Sequence, residues 1–464
     1  MEEEAKSLIG LDEALEQSRE EIKENYRNHL NPGLVRMFGL LNFDKKYVRA
    51  EGSKLWDSED NEYYDFLGGY GALNLGHNPP EVIEAVNKVN HLPNLLQAGM
   101  GTMASTAAHN LALLAPGDLS HSFFCNSGTE AVEGAIKLAR AASGRKKLIH
   151  CEGSFHGKTM GSLSLTGRDK YQKPFVPLMP GSERVSFGDT DMLEHELKKG
   201  DTAAFIVEPI QGEAGIIVPP EGYLKEVRKL CDKYDTYLIF DEIQTGLGRT
   251  GDLFACNREE VVPDIMCLAK SLGGGVMPVG AFITREDIWK EAYGSLNKAL
   301  LHTSTFGGNN LAAAAVVATL EEIVSKNLSK KAAQKGEHFI KGLKRLQEKY
   351  ELVDEVRGRG LMIGLEFKQP EEGLLNKLSG GMVKKLSHEY LGSMVAGTLL
   401  NDYQLLTAYT LNNPNVIRLE PPLIIEEEGL EKMLTALDQI FADYSNLLGL
   451  TMRSARSIIS GLFN

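Results

Sequence analysis

Basic residues are in the minority. The chain carries 50 Lys and Arg against 63 Asp and Glu, a formal net charge of −13. Binding a nucleic-acid backbone needs clustered cations, so a nucleic-acid surface is not expected. No uncharged apolar run reaches the about 18 residues that a membrane span requires. The acidic start MEEEAKSLIGLDEALEQSREE also lacks the apolar core of a secretory leader. Cysteine is scarce: Cys125, Cys151, Cys231, Cys256 and Cys267 are odd in number and form no CxxC pair, which argues against a disulfide framework or a zinc ribbon. Together these absences imply a cytoplasmic protein in a reducing compartment, with no metal site expected. Repeats and low-complexity linkers are missing too.

With 464 residues the chain is long enough for two or three domains. Residues 1–30 have helical spacing and many charges. Residues 46–67 resemble short strands joined by a turn at 57–61. From about 100 to 320, strands alternate with helices. The candidate strands at 122–125, 147–151, 203–207, 236–240, 264–268 and 279–284 are short apolar runs, as expected of strands buried on both faces. Between them, 129–143 and 222–235 place apolar residues at steps of three and four; Leu224, Val227, Cys231 and Tyr234 are one such stripe. This alternation predicts an α/β fold with a mainly parallel sheet and helices on both faces. A charged helix near 331–351 and strands near 361–367 and 416–419 predict a smaller α+β domain. The expected division is 1–74, packing with the small domain, then 75–340 and 341–464.

Several short patterns could carry chemistry. Asn126-Ser127-Gly128-Thr129 follows a strand and opens a helix, where free N–H groups and the dipole can hold a phosphate. The plain alternative is an N-cap supplied by Thr129. Asp241-Glu242 ends an apolar run, and carboxylates at parallel strand ends sit where ligands bind. Lys270 ends another run and precedes Ser271-Leu272-Gly273-Gly274-Gly275. A buried lysine has a lowered pKa and a nucleophilic amine; the alternative is a snorkelling surface lysine. Gly246-Leu247-Gly248-Arg249-Thr250-Gly251 matches the dinucleotide pattern GxGxxG, but the short stretch after it runs into Pro263 and makes a poor βαβ unit. Glu208 and Glu213 can be read as solvated loop charges. Residues 304–309 can be a phosphate donor or an ordinary helix start.

The order of the motifs SGTEA, SFHGKT, VEPIQGEAG, FDEIQTGLGRTG, LAKSLGGG and STFGGN, over roughly residues 45–445, resembles the class III (ω-type) aminotransferases of pyridoxal-5′-phosphate (PLP) fold type I. The resemblance implies a large PLP domain with a smaller α+β domain. It implies that Lys270 forms a Schiff base with PLP and relays a proton, and that Asp241 pairs with the pyridine nitrogen and keeps the ring an electron sink. Ser127, Gly128 and Thr129 would cradle the phosphate, with Glu208 also among the cofactor-binding residues. Phe155 would stack on the ring, and Gln244 would meet its 3′-oxygen. Thr305 would reach the phosphate of the neighbouring subunit, which implies a homodimer.

For substrates, Arg418 resembles the family arginine that takes an α-carboxylate, and Glu213 the glutamate that covers it. Tyr70 sits where a family tyrosine contacts substrate. Ornithine-type members carry an arginine after the aromatic-x-Gly motif, whereas this chain has Lys158, a point charge in place of a fork. The stretches FFCNSGTE, FHGK, LAKSLGGGVMPVGA, MVAGTL and RLEPPL are similar to putrescine aminotransferases. A terminal diamine donor and a 2-oxoglutarate acceptor are therefore expected. The alternatives are an ornithine or acetylornithine enzyme, an aminomutase or decarboxylase of the same fold, a binding protein, or an NAD-dependent dehydrogenase. The pattern does not cover the basic, apolar tail 450–464, which reads as a terminal helix or frayed end.

Overall fold

The computed structural model describes residues 8–40, 42–95, 98–368 and 382–443. The 450–464 tail and the first residues of the N-terminal helical segment lie outside the described residues. No described helix is long and apolar enough to cross a membrane.

Strands β1 (Tyr47–Glu51), β2 (Lys54–Asp57) and β3 (Glu62–Asp65) form an antiparallel meander. Its second turn is built by Asp57, whose Oδ1 accepts the N–H groups of Glu59 and Asn61 at 2.9 and 3.0 Å. The main sheet follows. It comprises β4 (Leu119–Cys125), β5 (Lys147–Cys151), β6 (Ser182–Val185), β7 (Thr202–Val207), β8 (Tyr237–Asp241), β9 (Ile265–Leu268) and β10 (Gly280–Arg285), in the order β4-β10-β9-β8-β7-β5-β6. All its pairings are parallel except the two made by β10, which runs against both β4 and β9. The sheet is thus mainly parallel as expected, with one reversed strand that apolar content alone does not reveal.

Alternate residues of the central strands enter two different cores. Ala204, Ile206, Ile239, Ile265, Cys267 and Phe282 pack with Val132, Ala135 and Ile136 of the Gly128–Ser143 helix. Phe205, Val207, Leu238, Phe240, Met266 and Leu268 pack with Leu224 and Val227 of the Tyr223–Lys233 helix. Both faces are dry, so the strands read as continuous apolar runs without alternation. The edge strand β6 has the sequence Ser-Glu-Arg-Val and only Val185 is buried, which is why no apolar run marks it.

The remaining strands are β11 (Val353–Arg359), β12 (Met362–Phe367), β13 (Leu405–Leu406), β14 (Ala408–Tyr409) and β15 (Val416–Leu419). Four of them form an antiparallel sheet in the order β11-β12-β15-β14, while β13 pairs in parallel with β3. The two ends of the described chain therefore share a sheet.

The GxGxxG segment is a run of turns leading into a 3-10 helix, Ala255–Glu259, with no βαβ unit. Its arginine explains it better than a dinucleotide does. Arg249 is fully buried and donates to the carbonyls of Leu361 (3.0 Å) and Pro421 and to Asn74 Oδ1 (2.6 Å). One guanidinium thus ties together three stretches that are distant in sequence. Replacing it leaves three buried acceptors without donors. Arg249→Met should therefore cost about 3 kcal/mol or more in chemical denaturation; a loss below about 1 kcal/mol would show that the tie is dispensable.

Candidate active site

A cavity of about 320 Å³ opens at the C-terminal ends of the parallel strands, and Ser127, Gly128, Thr129, Phe155, Glu208, Glu213, Asp241, Gln244 and Lys270 all line it. This is where an open α/β sheet exposes backbone termini that its two cores do not cover. The size lies within the about 300–1,000 Å³ typical of small-molecule sites.

The groups arrive from separate strands. After β4, Ser127 caps the helix, accepting the Glu130 N–H on its hydroxyl at 3.3 Å. The cap is Ser127 and not Thr129, which instead bonds the hydroxyls of Thr159 and Ser162. A Cβ at Gly128 would come within 2.9 Å of Ile243, so a glycine lets the first helical turn sit this close to the site. Asp241 and Cys267 are register partners on β8 and β9, and Lys270 follows β9 by two residues. Lys270 has φ +47°, a left-handed conformation that a side chain strains to adopt. Burial lowers its pKa from 10.5, although Glu420 and Glu213 oppose the shift. The amine is a cavity group and not a snorkelling one.

Asp241 is buried. Its Oδ2 meets His156 Nδ1 at 2.7 Å, and its Oδ1 accepts the Ile243 N–H at 3.1 Å. His156 also lines the cavity, and its buried Nε2 has no partner among the described residues. This residue was missed in the sequence. It stands inside SFHGKT, yet spacing cannot join it to a carboxylate 85 residues away.

Glu208 and Glu213 are buried, contrary to the reading as solvated loop charges. Glu208 accepts the N–H groups of Phe155 (2.9 Å) and Gly212 (3.1 Å), joining two loops. Glu213 Oε2 lies 2.6 Å from Arg418 Nη2 and accepts the Leu411 N–H at 3.0 Å. Burial works against ionisation of Glu213, but Arg418 and Lys270 outweigh it and hold the carboxyl below its ordinary pKa. Arg418 is fully buried and also meets Glu420 at 3.2 Å, with Tyr70 stacked 5.0 Å from its guanidinium. Glu420, the other missed acid, receives both this arginine and the Gln244 amide at 3.1 Å. The Gln244 amide also donates to the Tyr70 carbonyl at 3.2 Å. Tyr70 and Arg418 thus adjoin the cavity through Glu213 and Gln244. Thr305 is exposed and is not among the lining residues.

This donor set suits a phosphorylated pyridine aldehyde. The helix start and its hydroxyls suit the phosphate. A buried carboxylate steadied by His156 suits a protonated ring nitrogen, Phe155 and Val279 give apolar walls, and the Lys270 amine is available to a carbonyl carbon.

The aminotransferase class-III family model matches residues 41–441. Aminotransferase PigE of Serratia sp. (strain ATCC 39006) is 37% identical over 467 residues, covering 94% of this chain and 55% of that protein. The chain therefore spans about half the length of this curated relative. The ornithine aminotransferase of Toxoplasma gondii ME49 has a TM-score of 0.81 at 32% identity, over 93% of this chain and 97% of that one. An acetylornithine aminotransferase from Elizabethkingia anophelis has a TM-score of 0.74 at 32% identity, over 92% and 99%. The chain belongs to the class III aminotransferases, with the PLP fold type I architecture, and the cofactor of this family is PLP.

Burial pushes the Glu208 pKa from 4.5 up to about 7, against the nearby His156 and with the help of Asp241. A carboxyl raised on folding contributes stability that is complete below pH about 4.5 and lost as the pH rises through about 7, roughly 3 kcal/mol in all. For the cofactor-free protein, Glu208→Gln should flatten this part of the pH–stability curve whatever its offset. An unchanged slope would sink the assignment.

Proposed function

We propose that this chain is a PLP-dependent aminotransferase that moves the amino group of a terminal amine, with putrescine or a similar diamine as donor, to 2-oxoglutarate. One observation carries the reading: a lysine of lowered pKa and a histidine-supported aspartate face one cavity beside an arginine masked by a glutamate. Bound there, PLP supplies an electron sink for charge developing next to the transferred nitrogen. Asp241 would accept the ring N–H, with His156 keeping that carboxylate oriented. Ser127, Gly128 and Thr129 would hold the phosphate, Phe155 would cover the ring, and Gln244 would meet its 3′-oxygen. Lys270 Nζ, driven towards its neutral form by burial, would take the proton from the amine-bearing carbon and deliver it to the cofactor's aldehyde carbon. Glu208 orients the Phe155 loop.

The Glu213–Arg418 pair supports the choice of donor. While it is closed, the guanidinium is neutralised and a donor without an α-carboxylate meets no bare cation. Opened, Arg418 offers a bidentate fork to 2-oxoglutarate. Lys158 rests 5.5 Å from the Phe155 ring and 4.9 Å from the Tyr171 ring, an arrangement suited to a point charge and unlike a second carboxylate fork. Ornithine or acetylornithine as donor is the second reading, favoured by the relatives of that type. We further propose a homodimer in which Thr305 serves the partner's site, the three-part division at 74 and 340, and a cytoplasmic location, which accords with five buried free thiols.

The visible spectrum of the holoenzyme tests the class. A band near ~420 nm should shift towards ~330 nm with putrescine and return with 2-oxoglutarate. Lys270→Ala should lose the response and on the order of 10³-fold in turnover. A band indifferent to putrescine would discard the donor and keep the class; no band with PLP supplied would discard both. Arg418→Gln should raise the KM for 2-oxoglutarate on the order of 10²-fold while sparing the amine half-reaction. Equal damage to both halves would refute the masked-arginine reading.

A further inference from the structure

Thr129 lines the cavity, and its hydroxyl is not loose. It lies 2.7 Å from Ser162 Oγ and 2.9 Å from Thr159 Oγ1, and these two hydroxyls are 2.9 Å apart. Beside this triad stands Glu133, one helical turn after Thr129 and on the same face. Its Oε1 accepts the Thr159 hydroxyl at 2.5 Å, the Gly161 N–H at 2.9 Å and the Ser162 N–H at 3.0 Å. Among the described residues no lysine or arginine forms an ion pair with Glu133, and its protein partners are these hydroxyl and backbone donors.

Space has been left for this arrangement. A Cβ on Gly157 would come within 2.3 Å of Thr129 Oγ1 and 2.7 Å of Ser162 Oγ, and one on Gly161 within 2.2 Å of Glu133 Oε2. Gly157 belongs to the loop that also carries Phe155 and His156, and Gly161 lies in the short helix Met160–Ser164 that follows it.

Proton counting gives the cluster a direction. Thr159 spends its single hydroxyl hydrogen on the carboxylate, so towards the other two hydroxyls it can only accept. Two hydroxyl hydrogens then remain: when Ser162 donates to Thr129, the Thr129 hydrogen goes either to Thr159 or, giving up that bond, to an anion in the cavity.

We propose that Glu133 is a positioning residue for the phosphate end of the cofactor, acting through Thr159 and Ser162 on the Thr129 hydroxyl; this rests on the cofactor reading above. The sign of its effect separates the proposal from simple electrostatics. A carboxylate one turn from the cradle repels a phosphate, so charge alone says that its removal tightens phosphate binding. Positioning says that its removal weakens it.

The test is cofactor affinity of the cofactor-free full chain, titrated with PLP and, separately, with pyridoxal, which lacks the phosphate. Glu133→Ala should raise the Kd for PLP about 10-fold or more and leave that for pyridoxal within about 2-fold. Glu133→Gln, which keeps an acceptor oxygen, should recover most of the affinity. Thr159→Val should act in the same direction as Glu133→Ala, and it carries the test if that variant does not fold. Tighter PLP binding, equal losses for both ligands, or no change would each overturn the proposal. A wild-type protein that binds pyridoxal as well as PLP would overturn both this proposal and the phosphate cradle it rests on, whereas a wild type that prefers PLP while Glu133→Ala keeps the same preference would overturn this proposal alone.

Discussion

The arrangement of this protein depends on one constraint: the seven-stranded sheet is covered by a core on each face, so only its strand ends are open to a ligand. Side chains along β7, β8 and β9 are committed alternately to the two cores. Polar chemistry must therefore come from residues at or just past the C-terminal ends. Asp241 closes β8, Lys270 follows β9, Glu208 follows β7, and Ser127 starts the helix after β4. Because these strands are mainly parallel, their ends lie at one edge and the groups converge without any one segment having to supply them all.

Convergence at a dry edge raises an electrostatic problem, since isolated buried charges are costly. The site meets it with linked partners. Arg418 lies between Glu213 and Glu420, Gln244 bonds Glu420, and Asp241 is bonded to His156. Among the described residues Lys270 has no such tight partner, and burial lowers its pKa even though the surrounding acids work the other way. The imbalance is what makes the amine useful: a fully paired lysine would keep its proton. Glu208, held by backbone N–H groups with no guanidinium, shifts in the opposite sense for the same reason.

Close approach is the second condition of the site. At Gly128, Gly157 and Gly161 a methyl group would meet Ile243, the Thr129 hydroxyl or the Glu133 carboxylate. Helix start and loop consequently lie in contact, and the hydroxyl cluster between them is shared. Arg249 serves a comparable end elsewhere, bringing the turn after β8 against Leu361, Pro421 and Asn74 with hydrogen bonds in place of apolar packing.

By itself the sequence determined the α/β class and most strand positions, because two-sided burial writes itself as short apolar runs. It also marked Lys270, Asp241 and the Ser127–Thr129 turn, since each stands where an apolar run stops or a helix begins. It could not give the direction of β10, whose apolar content is the same whichever way it runs, nor reveal β6, whose edge position spares it an apolar pattern. The partnership of His156 with Asp241, the role of Glu420, the burial of Glu208 and Glu213, and the grouping of Glu133 with Thr159 were decided only by tertiary structure. Most of these contacts join residues far apart along the chain, as His156 and Asp241 or Glu133 and Thr159 are, so no local pattern encodes them. Burial of a charge is likewise a property of what packs around it.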